Sequence, residues 1–386
     1  MSGDAPCVTR AVPGGRLAGV NSRLWTRLAQ GFVVAALVCV CSAGTGCGAG
    51  GPLAAPSPAD ALEAANPLRP LPDPAACRER SLAELDRPPT PERARLGRWL
   101  FHDRRLSVDG TVSCATCHQP EHAFSERSPV STGIRGQRGT RKAPACADLA
   151  FAAPPAFFWD GRAASLEEQA RGPITNPVEM GNSPEGVVRS LSAVRGYARF
   201  FREAFGDPAV TFERVLHALA DYERSLVSGS SPYDRWKTGG DAAAVGEAVK
   251  RGDGLFFGKA LCGRCHLGPD FTDFRFHNLG VGFDPKSRTF RDAGRSVVTG
   301  KSDDLGAFKT PGLRDVALHP PYMHDGSLPT LAAVMEHYRK GGTPNPNLSA
   351  KMEPVTLTDG EVSDLIAMMQ ALTADGPRET PPRVFP

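Results

Sequence analysis

Apolar residues recur at helical spacing along most of the chain after position 90, and only short stretches alternate as a strand would. "TPERARLGRWLFHD" opens on Thr90-Pro91-Glu92, a helix start, and carries its apolar residues at intervals of three and four. The same period appears in "SLEEQAR", "PEGVVRSLSAV", "RGYARFFREAF" and "TFERVLHALADYERSLV". It returns in "DAAAVGEAVKRGDGLFF", "TLAAVMEHYRK" and "TDGEVSDLIAMMQAL". Between these segments run Gly- and Pro-rich loops such as "RSPVSTGIRGQRGTRKAPA", longer than a compact domain tolerates unless something fills the space they enclose. The pattern predicts a mostly α protein with little sheet.

The first fifty residues follow another rule. Arg10, Arg16, Arg23 and Arg27 precede "GFVVAALVCVC", too short for a comfortable membrane span but suited to the apolar core of an export signal. Export past the cytoplasmic membrane, to the periplasm, is the expectation. Cys47 offers a lipid-anchor position, but Gly44 stands three before it instead of a large aliphatic, so an anchor and simple cleavage both stand. Residues 51–75, rich in Ala and Pro, read as a tether without a packed core.

At 386 residues the chain can bury one large core or two ordinary ones, and no nucleic-acid reading follows from a net charge of +3. What fills the loops is indicated by a repeated motif: "SCATCHQP" and "LCGRCHLG" both contain Cys-x-x-Cys-His. Two thiols at this spacing add across the vinyl groups of one haem, and the adjacent histidine then ligates the iron. Cys114, Cys117 and His118 therefore read as one haem c site, and Cys262, Cys265 and His266 as another. A zinc site would need further ligands at short spacing, and a redox dithiol would follow a strand in a βαβ unit. Neither accompaniment is present. Two haem domains are predicted, 76–235 and 236–378, parting near "SGSSPYDRWKTGGD". Of the ten cysteines, Cys77 and Cys146 fall outside both the motifs and the leader, and in an oxidising compartment they are candidates to pair.

Together with the two motifs, the blocks "FFWDGRAASLEEQARGPITNPVEMG", "YERSLVSGSSPYDRW" and "FKTPGLRDVALHPPYMHDGSLPTL" followed by "HYRKGG" resemble the bacterial di-haem cytochrome c peroxidase and MauG family over nearly the whole chain after the tether. The resemblance implies two cytochrome c-like domains and hydrogen peroxide reduced at the first haem, with electrons from a small redox protein arriving through the second. It implies Glu179 as acid–base group, Gln169 as its polar companion and Trp159 as the ring between the haems. Many members block the first iron with a histidine in the following loop. Here that position falls at Ile134, so an open iron is expected, with His122 the nearest other imidazole.

On the far side of the second iron, peroxidases of the family place a methionine and MauG-like members a tyrosine. The position falls on Tyr338, with Met335 and Met323 as rivals. Family members commonly bind calcium through "RNxP" and "LTxP", whereas this chain has "RKAP" and "LHPP". Lys142 in the asparagine place makes calcium doubtful. Its ammonium would supply the charge, unless it is a solvated loop residue. Ala260 stands where MauG has a surface tryptophan, which counts against that specific protein substrate. The leading expectation is an exported peroxidase of the MauG-like branch. A maturase oxidising a side chain of a partner protein and a plain electron carrier are the alternatives.

Overall fold

The computed structural model describes residues 57–72, 81–154, 156–375 and 379–386. It is largely helical, with two small sheets. The first part holds α1 (Pro58–Ala65), α2 (Pro91–His102), α3 (Cys114–Cys117), α4 (Leu166–Thr175), α5 (Pro184–Ser192), α6 (Arg195–Phe205) and α7 (Phe212–Ser225), and α8 (Pro232–Lys237) follows, packed through Tyr233 into the second core. The second holds α9 (Glu247–Phe257), α10 (Ser296–Thr299), α11 (Leu331–Arg339) and α12 (Asp359–Ala371). Strand β1 (Phe276–Asn278) pairs antiparallel with β4 (Ala307–Lys309), matching His277 to Phe308, and β2 (Phe283–Asp284) pairs with β3 (Thr289–Phe290).

Starts of helices follow local chemistry. Thr90, Ser165, Ser183, Thr211 and Thr330 each accept a hydrogen bond from a backbone N–H of the first turn, and proline leads α2 and α5. Two apolar cores result. One gathers Leu96, Trp99, Phe101, Tyr197, Phe200, Phe201, Val215 and Leu219, and the other Phe256, Phe271, Val334, Met335, Leu365 and Met368.

A helix pair crosses within each core, and a glycine permits each crossing. A Cβ on Gly97 of α2 would lie 1.9 Å from the Ala218 carbonyl oxygen of α7. One on Gly252 of α9 would lie 2.1 Å from that of Asp364 in α12. Nothing larger than hydrogen fits at either point.

Three segments differ from the sequence expectation. The supposed tether contains α1, started by a capping box of Ser57 and Asp60. Asn66, which ends it, is buried against α2, donating to the Arg95 carbonyl and accepting from Arg98. Alanine favours helix once a cap is present, so the Ala/Pro composition misled. Second, the stretch expected to be a break contains α8, capped by Ser231. Third, residues 379–386 return to the first core: Trp99 Nε1 donates to the Val384 carbonyl at 3.0 Å, and Arg98 binds Glu379. Cys77 and Cys47 lie outside the described residues. Among the described residues, no helix is long and apolar enough to cross a membrane.

The two cores are joined by a polar clamp. Arg141 reaches Asp160 at 2.6 Å and grips Asp292 with two nitrogens at 2.6 and 2.9 Å, while Arg295 donates to the carbonyls of Asp160 and Gly161.

Candidate active site

Between the cores lies one continuous cavity of about 910 Å³, lined by the cysteines and histidine of both Cys-x-x-Cys-His turns. Its size is at the upper end of the roughly 300–1,000 Å³ of ordinary ligand pockets. The first turn is α3, and the second is a 3₁₀ turn, Cys262–Arg264, entered through Leu261 at φ 61°.

In both turns the histidine is set the same way. His118 Nδ1 lies 2.9 Å from the Phe124 carbonyl oxygen, and His266 Nδ1 lies 2.9 Å from that of Phe271. A carbonyl only accepts, so each Nδ1 carries the proton and each Nε2 keeps a lone pair for a metal. Burial lowers the pKa of both rings, favouring the neutral, ligating form. Cys114, Cys117, Cys262 and Cys265 are free thiols, and burial raises the pKa of all four. Four unpaired sulfurs and two oriented imidazoles on one apolar wall fit two haems of c type.

A competing metal cluster does not hold up. Cys265, Asp273 and His277 approach within 4.8 Å of one another. Asp273, however, already accepts from His277 Nε2 at 2.8 Å and from the Lys351 ammonium at 3.2 Å, and a lysine cation on that carboxylate disfavours a second cation.

The remaining predicted residues converge on the same cavity: Gln169 and Glu179, Trp159, and Tyr338. Gln169 sits on α4. The chain then turns so that Met180 N–H donates to the Pro173 carbonyl and Asn182 N–H to that of Ile174, which carries Glu179 back beside the helix. Burial raises the Glu179 pKa, opposed by a 2.7 Å hydrogen bond donated by Asn176 and by the charge of Arg162. The loop that holds Ile134, where an imidazole was not expected, is packed against this turn. Ile134 is buried, its N–H donating to the Glu179 carbonyl at 2.8 Å, and the cavity wall there is Ser131, Gly133, Arg138, Gly139 and Thr140. Gly133 is required: a Cβ would lie 2.0 Å from the Val178 carbonyl oxygen.

Trp159 is held by its Nε1, which donates to the Lys142 carbonyl at 2.8 Å, and by Lys309 N–H on its own carbonyl. Lys142 is not a solvated loop residue. It is 4% exposed, its ammonium donates to the Glu126 carbonyl, and burial lowers its pKa to about 8. Beside the second turn, Tyr338 and Met335 of α11 both line the cavity, as does Met323. Burial raises the Tyr338 pKa. His122 is half-exposed and is not part of the cavity wall.

Sequence reasoning missed several groups. Cys146 Sγ lies 3.0 Å from His118 Nδ1, which no spacing rule indicated. Lys309 is half-buried on the wall, its ammonium donating to the Ala156 carbonyl at 2.8 Å, and desolvation lowers its pKa to about 8. His319 is half-buried on the cavity wall, its shielded Nε2 has no hydrogen-bond partner among the described residues, and desolvation lowers its pKa to about 4. Asn176 was missed too, although its place three residues before Glu179, whose N–H donates to the Asn176 carbonyl, is a local signal that could have found it.

The fold and this cavity define a class: a helical protein built around two c-type haem sites facing one interior space. The family described as di-haem cytochrome c peroxidase matches residues 91–242. The methylamine utilization protein MauG of Methylorubrum extorquens is 45% identical over 300 residues, covering 77% of this chain and 82% of its own. The cytochrome c551 peroxidase of Nitrosomonas europaea is 35% identical over 290 residues, covering 75% and 82%. Among solved structures, a MauG-like protein associated with microbial copper homeostasis superposes with a TM-score of 0.69 at 32% identity, over 80% of this chain and 95% of that one. The di-haem peroxidase BthA of Burkholderia thailandensis gives 0.66 at 26% identity, over 79% and 91%. The chain belongs to the di-haem cytochrome c peroxidase and MauG family of oxidoreductases.

Proposed function

We propose that the protein is an exported peroxidase that reduces hydrogen peroxide on the Glu179 side of the cavity, using electrons from a small redox protein of cytochrome c or cupredoxin type. The reaction is H₂O₂ + 2e⁻ + 2H⁺ → 2H₂O. His118 would hold the first haem and His266 the second, each attached through its pair of cysteines, in domains spanning 76–235 and 236–378. The haems supply the site that binds peroxide and the electrons that reduce it.

The chain's own residues do the rest. Glu179, as carboxylate, takes the proton from the peroxide oxygen nearer the iron and returns it to the departing one. Asn176 fixes the carboxylate through its 2.7 Å hydrogen bond, and Gln169 adds a polar contact to the departing oxygen. Ile134, in place of an imidazole, leaves that face of the cavity clear. Trp159 couples the two sites, and Tyr338 would help to hold the iron of the second haem, with Met335 the rival. The Lys142 ammonium supplies positive charge between the cores in place of calcium. The observation that carries the reading is the half-buried Glu179 carboxyl group, held by Asn176 and backed by the Ile134 loop, lining the same cavity as His118, whose Nδ1 is committed to the Phe124 carbonyl.

A second reading, oxidation of a side chain on a partner protein, is favoured by Tyr338 and by the 45% identity to a protein named MauG. Turnover of peroxide with a reduced small cytochrome c separates the two. Steady oxidation of the cytochrome supports the peroxidase. A covalently altered partner with negligible cytochrome oxidation supports the maturase.

A further inference from the structure

A line of aromatic rings runs out of the cavity behind the second histidine. From His266 to Phe256 the ring centroids are 6.5 Å apart, from Phe256 to Phe271 6.0 Å, from Phe271 to Tyr233 5.5 Å, and from Tyr233 to Trp236 5.7 Å. Each step lies within the roughly 4.5–7 Å of packed aromatic pairs. A second link is shorter in bonds: the Phe271 carbonyl accepts the His266 Nδ1 proton at 2.9 Å. The line begins at a ring on the cavity wall and ends at Trp236, which is half-buried.

Phenylalanine rings are too hard to oxidise to hold a charge, so the first side chain on this line able to lose an electron is Tyr233. It is 5% exposed, and its hydroxyl donates to Asp253 Oδ1 at 2.6 Å. Asp253 Oδ2 in turn accepts from the Lys237 ammonium at 2.6 Å. A phenol gives up an electron readily only where its proton has somewhere to go, and Asp253 is placed to take it. The same ammonium stands 5.0 Å from the Trp236 ring centroid and disfavours a positive charge on the indole. A phenoxyl radical is neutral, and the charge left behind is that of Lys237, already part-exposed to water.

We propose that Tyr233, hydrogen-bonded to Asp253, is a redox-active relay that passes oxidising equivalents from the second haem toward the surface at Trp236. In the step, the Tyr233 O–H bond breaks, its proton forms an O–H bond on Asp253, and its electron reduces the second haem by one equivalent. A one-electron donor protein at the α8 surface restores the phenol, Asp253 returning the proton. The proposal rests on the peroxide reaction above, which supplies the oxidant, and gives that reaction an electron entry on α8.

The test uses haem-loaded protein containing ring-deuterated tyrosine, frozen after mixing with peroxide without donor and read by electron paramagnetic resonance. A tyrosyl radical, narrowed by deuteration, is expected in the parent, lost in Tyr233→Phe and greatly diminished in Asp253→Asn. Folding of the variants is checked by unchanged haem absorption. A second arm replaces peroxide by a flash-generated ruthenium(III) oxidant. A Tyr233-dependent radical there, with none from peroxide, sinks the peroxidase reading and leaves the relay standing. No tyrosyl radical with either oxidant, or one that persists in Tyr233→Phe, overturns the relay.

Discussion

Replacing Glu179 by glutamine exchanges one oxygen for an NH₂ group and leaves volume almost unchanged, so its effects on chemistry and on folding can be told apart. On chemistry, the amide cannot take up a proton. General acid–base help is worth about 10²- to 10⁴-fold, or about 2.7–5.4 kcal/mol of barrier at 1.36 kcal/mol per tenfold. On folding, the sign is opposite. Burial raises the Glu179 pKa, so the folded protein favours the neutral acid, and ionisation costs stability progressively as pH rises above the unfolded value of roughly 4.3. Glutamine removes that cost, and stability near neutral pH is expected to be unchanged or slightly higher. The pH profile adds a third readout. The parent needs the carboxylate, so peroxide turnover falls on acidification through the raised pKa, and Glu179→Gln loses that acidic limb along with the rate. The assay is stopped-flow peroxide consumption with saturating reduced cytochrome across pH, beside thermal melting of both proteins. An unchanged rate removes Glu179 from the mechanism, and a loss of rate accompanied by a lowered melting temperature refutes the separation argued here.

Tyr338→Phe is expected to change the absorption spectrum and raise the potential of the second haem, and Tyr338→Met to raise it while keeping six ligands; unchanged spectra in Tyr338→Phe would make Tyr338 a core aromatic only. Gly133→Ala should lower turnover with both haems still attached, because the new Cβ would lie 2.6 Å from the Glu179 carbonyl oxygen and push the carboxyl group away; kcat measured at saturating peroxide checks it. In the parent, the lowered Lys142 pKa means that the folded protein holds fewer protons than the unfolded between about 8 and roughly 10.4, so stability rises with pH across that window. Lys142→Met should flatten the rise, read from denaturant midpoints at several pH values.

The helices were legible because caps and apolar period agree: Thr90 before Pro91, and Leu96, Trp99 and Leu100 turned inward, follow from rules that act within a few residues. The two Cys-x-x-Cys-His turns, which line one cavity, were legible because their motif is local in sequence. What was not legible depends on distant partners. Nothing near Lys142 in sequence says that its ammonium reaches the Glu126 carbonyl in the interior, and nothing near Tyr233 says that Asp253 waits across the α8–α9 turn. The "SGSSPYDRWKTGGD" stretch was read by its glycines and serines as a break, although Ser231 and Asp234 close a capping box there.

The return of residues 379–386 to α2 gives the molecule a temporal order. Arg98 and Trp99, early in the chain, find partners in Glu379 and Val384, which are synthesised 281 and 285 residues later. Phe385 packs on the first core, and Pro386 lies against Gly196 of α6. Until those residues arrive, the first core is short of a wall, and closing it requires contacts across nearly the whole sequence, which form slowly. The interval leaves the Cys114–Cys117 turn in a loosened core while the rest of the chain is still being delivered. The segment 379–386 therefore acts as a latch on the core that carries the Cys114–Cys117 turn.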